Sequence, residues 1–131
     1  MKAVFYILNF TWGIIMNIFG LVGAGAMLVL GRKPEKHAGS IVFRTGHYWG
    51  GVSLGVFTFV CEDADTHTLN HEFGHAIQNA LFGPLFIILV AIHSFTRYQL
   101  IAHNVIKVKN YDDAWFEGQA TEWGTTVAKK W

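Results

Sequence analysis

The chain has 131 residues, room for one modest domain or a short membrane protein and too few for two substantial cores. Hydrophobic residues make up 52% of it and charged residues only 15%, against the roughly one quarter usual in soluble domains, which excludes disorder and speaks against an ordinary water-soluble fold. Ten Lys and Arg against nine Asp and Glu leave a net charge of +1, so there is no basic field to hold nucleic acid. The single cysteine, Cys61, rules out an intrachain disulfide and a Cys-based zinc cluster, while seven histidines are the one excess that bears on chemistry.

No charge interrupts the 29 residues from Ala3 to Gly31. About 20 apolar residues cross the hydrocarbon core, so the run predicts a transmembrane helix over 1–31 with length to spare. Asn9, Gly13, Asn17, Gly20 and Ala24 recur within it at steps of three and four. Such a small, polar stripe suits close packing against a partner helix or a second copy of the chain. Ala24-Gly25-Ala26 imitates a signal-peptide cleavage site, but the run is too long for such a signal and continues past it. Lys2 precedes the helix while Arg32, Lys33, Lys36 and Arg44 follow it. The positive-inside tendency then places residues 32–131 on the cytoplasmic face, against membrane lipid.

Residues 32–39 are polar, contain Pro34 and read as a linker. Ile41–Thr45 is a candidate strand, and Val52–Cys61 alternates as a second, with Gly50-Gly51 suited to a hairpin turn between them. Asp65 or Thr66 can cap a helix that runs from about His67 to Phe82, where Gly83-Pro84 stops it. Pro84–Thr96 is a further apolar stretch, and a last helix is expected over about Asp112–Ala128. The expected fold is α+β and mainly helical.

The chemistry lies in His71-Glu72-Phe73-Gly74-His75, an H-E-x-x-H pattern inside a segment read as helical. Residues four apart share a helical face, so both imidazoles can reach one ion. Zinc accepts neutral imidazole nitrogens at about 2.0–2.1 Å, and a catalytic site keeps one position for water. Glu72 is then placed to act as general base. Chance produces the pattern somewhere in such a chain with a probability of roughly one or two in a hundred. His67 shares the face of His71, but a helix-start histidine near Asp63 or Asp65 is its simpler role.

The third ligand must come from elsewhere. The metzincin spacing is absent, because Gln78 and Leu81 stand where it needs Gly and His, and no Leu-Asp-Gly segment follows. A downstream carboxylate remains, Glu117 or Glu122. Ala120, Thr121 and Gly124 form a small face around Glu117 that would let the last helix approach the His71–His75 helix closely. Glu122 lies about 140° away around the helix. Glu117 is therefore favoured.

His71-Glu72-x-x-His75 followed by Glu117-x-x-Ala120 resembles the zinc-metallopeptidase pattern of membrane proteases of the heat-shock and CaaX-processing type. The segment His71–Gln78, then Gly83-Pro84 and an apolar stretch, is also similar to small uncharacterised bacterial membrane proteins. The resemblance covers roughly residues 48–124. It implies a gluzincin-like zinc site in a membrane-associated, zincin-like domain, with His71, His75 and Glu117 as ligands and Glu72 as base. One departure is Thr121, which stands where the larger proteases carry an aspartate.

If Glu117 joins both histidines, the chain between them cannot end across the bilayer. Pro84–Thr96 would span about 20 Å as a helix, too short for a core of about 30 Å. A re-entrant or interfacial segment follows, with a buried core helix as the alternative. His93 and His103, within or just after it, read as satisfied histidines rather than ligands. The strand before the active-site helix could pair with an extended peptide substrate or serve only as core. His47, Tyr48 and Tyr111 are candidates to stabilise an oxyanion. Two functions remain open at this point: a membrane-anchored zinc hydrolase acting on peptides, or a non-catalytic interaction subunit braced by a structural metal.

Overall fold

The computed structural model describes residues 2–46, 51–104 and 114–131. The N-terminal apolar run is two helices, α1 (Lys2–Phe10) and α2 (Ile14–Val29), meeting at 90°. The expected single helix over 1–31 is thus broken. Among the described residues no single helix is long and apolar enough to cross a membrane, although the bent pair together has the length and composition of a broken span.

The break has a local and a distant cause. Thr11 Oγ1 donates back to the Ile7 carbonyl at 2.6 Å, a bond that bends helices. The carbonyls released at the bend are caught by asparagines: Asn17 Nδ2 reaches Asn9 O at 2.8 Å and Gly13 O at 3.0 Å, and Asn79 Nδ2 reaches Gly13 O at 3.1 Å. Asn79 also donates to Asn9 Oδ1 at 2.7 Å. Hydropathy counts these asparagines only as polar residues in an apolar run; their bonds stop the helix from continuing.

The small stripe is used inside the chain. Asn9, Gly13, Asn17, Gly20 and Ala24 are all buried, and Gly20 lies against the Leu54 carbonyl and the Phe57 ring. Phe5 packs with Phe73 and Trp131, ring centroids 5.3–5.5 Å apart, so residues 1–31 share a core with the rest. The other side of α2 is uncovered, with Ile18, Phe19, Leu21 and Val22 between 55% and 70% exposed.

Four short strands follow: β1 (Glu35–His37), β2 (Ser40–Arg44), β3 (Gly51–Leu54) and β4 (Phe57–Val60), in the order β1-β2-β4-β3. The stretch read as a linker contributes β1, paired antiparallel with β2. The expected hairpin is also different. Val52–Cys61 is two strands, not one, folded at Gly55-Val56 so that Leu54 faces Phe57. Gly55 has φ +71°, the positive value a two-residue hairpin loop needs at this position, and the Val56 N–H is held by Asn17 Oδ1 at 2.9 Å. The fold keeps Val52 and Leu54 on one face but moves Val60 to the face of Ser53, which alternation along one strand cannot reveal. β2 runs parallel to β4 instead of turning into it; Gly51 begins β3, and Gly50 lies outside the described residues. β4 is buried throughout, whereas β3 is an edge strand.

Helix α3 (Thr66–Phe82) starts and stops as expected. Asp65 caps it by accepting from the Thr68 N–H at 2.9 Å, and Gly83, at φ +57°, ends it. A π-helical turn (Ile87–Ala91) then leads into α4 (Ile92–Ala102), extending well past the expected Thr96. This is no buried core helix: α4 has no buried residue, and Ile88, Ile92 and Phe95 are more than half exposed. Its 16 residues including the π turn span about 24 Å, short of a hydrocarbon core. Helix α5 (Trp115–Ala128) is described from Trp115; the expected start at Asp112 lies outside the described residues. The fold is α+β and mainly helical.

Candidate metal centre

The site forms where α3 and α5 cross, and glycines let them cross closely. A β-carbon on Gly74 would run into the Ala120 carbonyl, and one on Gly124 into the Asn70 carbonyl. Backbones this near leave no room for side chains between them at the crossing, so Glu117, one turn before Ala120, projects straight into the face of α3. It is completely buried. Its Oε1 lies 3.2 Å from His75 Nε2 and its Oε2 3.4 Å from His71 Nε2. Glu122 is exposed on the far side of α5, so of the two carboxylates weighed from the sequence only Glu117 meets the histidines.

His71, Glu72 and His75 form a buried cluster whose potential ligand atoms lie within 4.8 Å of one another, and the cluster can hold a metal ion. The hydrogen bonds around it bear on the fit. Gln78 Nε2 donates to the Phe116 carbonyl at 2.8 Å, so its Oε1, 2.8 Å from His75 Nδ1, must accept from the ring. That bond puts the hydrogen of a neutral His75 on Nδ1 and leaves Nε2 as a lone pair. His71 Nδ1 bonds Thr121 Oγ1 at 2.7 Å. A lone pair on Nε2 and a carboxylate oxygen at 3.2 Å repel unless a proton or a cation lies between them. Tetrahedral bonds of about 2.05 Å set donors about 3.3 Å apart, and each imidazole Nε2 has one Glu117 oxygen at about that distance. Glu72 Oε2 and Glu117 Oε2 are moreover buried without a hydrogen-bond partner among the described residues. The donor set fits a divalent cation.

The electrostatics of these side chains point the same way. Burial alone would push the Glu117 carboxyl up, but the two imidazoles of His71 and His75 against it outweigh burial and hold the group below the usual carboxylate range. Burial would favour a neutral His75, yet the bond to Glu117 and the charges of Glu72 and Glu117 raise it above its ordinary value. Glu72 is raised, chiefly by burial, with both histidines opposing.

The cluster opens onto a cavity of about 870 Å³. Gly51, Val52, Ser53 and Leu54 of edge strand β3 form one wall; Phe86, Val90 and Phe95 form the opposite, apolar one. The strand beside α3 is thus β3, rather than the whole of Val52–Cys61. Gly51 abuts Glu72, whose Oε1 lies 3.2 Å from where a Gly51 β-carbon would stand.

Other candidates fall away from the centre. His93 and His103 are exposed, with the His93 ring 6.2 Å from Phe116. His67 lines the outer cavity. His47, Tyr48 and Tyr111 lie outside the described residues. Two participants were not read from the sequence as such. Gln78 orients His75; its position three residues on, on the same helical face, was the available signal. Ser94 donates to Glu117 Oε1 at 3.0 Å, and its only signal was a hydroxyl within an apolar stretch. Thr121, where the larger proteases have aspartate, holds the histidine through its hydroxyl. Comparison with known proteins finds no matching family, no matching curated protein and no matching solved structure.

Proposed function

We propose that the protein is a membrane-associated, zinc-dependent hydrolase of the metallopeptidase type, with His71, His75 and Glu117 as ligands and Glu72 as general base. The observation that carries this reading is the convergence of His71, His75 and Glu117 at an open cavity, each Nε2 within 3.4 Å of a Glu117 oxygen, with Glu72 beside them. A zinc ion held there supplies a Lewis acid that acidifies water and polarises a carbonyl. Glu72 takes a proton from the attacking water and returns it to the leaving amine. Burial raises the Glu72 carboxyl above its ordinary value, which makes it the better proton acceptor for this transfer. Thr121 and Gln78 hold the rings by Nδ1 and so keep Nε2 directed inward.

The neighbouring edge supports a peptide as substrate. β3 has one side unpaired among the described strands and runs along the cavity, so an extended chain can add to it through backbone hydrogen bonds. The opposite wall favours apolar side chains. The uncovered apolar sides of α2 and α4 support a seat in membrane lipid, with the bent α1–α2 pair and the short α4 entering the bilayer rather than crossing it singly.

A structural metal in a non-catalytic subunit would have no use for a carboxylate left without a hydrogen-bond partner beside such a cavity. Glu72→Gln separates the two. For an enzyme, zinc per chain stays near the wild-type value while hydrolysis of an apolar peptide library falls about 10²–10⁴-fold. Wild-type protein that hydrolyses no member of the library while fully loaded with zinc would overturn the hydrolase reading.

A further inference from the structure

We infer that Ser94 is a positioning residue for Glu117, holding its carboxylate so that one oxygen alone is offered to the ion and a coordination position stays open. The inference rests on the metal reading above. The two oxygens of Glu117 have unequal surroundings. Each oxygen faces one imidazole, Oε1 at 3.2 Å from His75 Nε2 and Oε2 at 3.4 Å from His71 Nε2, but Oε1 alone also receives the Ser94 hydroxyl, at 3.0 Å, while Oε2 is buried with no hydrogen-bond partner among the described residues. A donated proton draws on the electron density of Oε1 and leaves Oε2 the stronger donor toward a cation. It also fixes the rotation of the carboxylate plane, which otherwise has little barrier to swinging both oxygens onto one ion.

The helix carrying Ser94 is built to bring it there. Phe86, Val90 and Ser94 follow one another at steps of four. In a regular α-helix each such step drifts by about 40°, so the first and third would lie about 80° apart. The π turn at Ile87–Ala91 takes an extra residue into one turn and offsets that drift. Phe86 and Val90 are consequently buried at 3% and 1%, and Ser94 continues their line to Glu117, while Ile92 and Phe95 remain exposed. A single hydroxyl thus joins an otherwise uncovered apolar helix to a metal ligand. Without the π turn, Ser94 would rotate out of reach.

The test uses cobalt(II) titrated into purified, chelator-stripped full-length protein, read by visible absorption. Wild type should give the intense bands of four-coordinate cobalt at one ion per chain. Ser94→Ala should still fold, since alanine is the better helix former, and still bind, but with band intensity lowered about twofold or more as Glu117 turns bidentate and coordination rises to five. Ser94→Thr, which keeps the hydroxyl, should restore the wild-type spectrum. A Ser94→Ala spectrum identical to wild type would overturn the positioning role and leave the metal reading intact. Failure of the wild type to take up cobalt would overturn both.

Discussion

Helices α2 and α3 reverse the usual allocation of residues. α2 is made almost wholly of aliphatic residues and glycine, yet Leu21, Val22 and Val29 are 63–88% exposed. α3 carries two histidines, a glutamate, a glutamine and an asparagine on its buried side, each 7% exposed or less. In water the first arrangement wastes hydrophobic free energy and the second incurs desolvation without the gain. Both become reasonable if α2 meets hydrocarbon and α3 meets a cation and a set of hydrogen-bond partners. The contrast separates two kinds of dependence: α3 relies on specific atoms at specific distances, α2 only on the polarity of whatever surrounds it.

Three pairs of substitutions test that contrast, in descending size of effect. Glu117→Gln removes the buried carboxylate and should abolish stoichiometric zinc binding, a loss larger than the roughly 10–100-fold seen when only a ligand's supporting partner is changed. Glu122→Gln, on the exposed side of the same helix, should bind zinc like the wild type, as read by metal analysis after dialysis. Next, Gly74→Ala forces a methyl group against the Ala120 backbone and should cost about 3 kcal/mol or more in denaturant unfolding. Gly25→Ala, where a β-carbon meets nothing within 4 Å, should be neutral or stabilise by up to about 1 kcal/mol. The smallest change is Val22→Ser, which should alter folding stability by no more than about 0.5 kcal/mol while lowering co-sedimentation with lipid vesicles. Unchanged vesicle binding in Val22→Ser combined with Leu21→Ser would remove lipid as the partner of α2.

What could be read from the sequence was local. Asp65, the H-E-x-x-H spacing and Gly83 each act within a turn or two of themselves, so the bounds of α3 and the shared face of His71 and His75 followed directly. Glu117 was legible because Ala120 and Gly124 mark a close helix crossing, and a carboxylate at its start has one direction to point. The break at Gly13 was not, since part of its clamp comes from Asn79, which arrives 66 residues later. The parallel pairing of β2 with β4 was hidden for the same reason, and the alternation of Val52–Cys61 passed smoothly through a turn whose glycine was read as part of one face. Ser94 reaches its partner only through a π turn, a change of helical phase that no apolar periodicity announces.

The asparagine clamp at the helix break has a consequence for the order of assembly on the ribosome. Residues 2–29 emerge long before Asn79, and until that side chain arrives one of the two amides that grip the Gly13 carbonyl is missing. The bonds from Thr11 and Asn17 can start the bend as soon as the segment is made, but its second amide clamp closes only when α3 has been synthesised and docked. Insertion machinery would meet a different object from the one that the finished molecule presents.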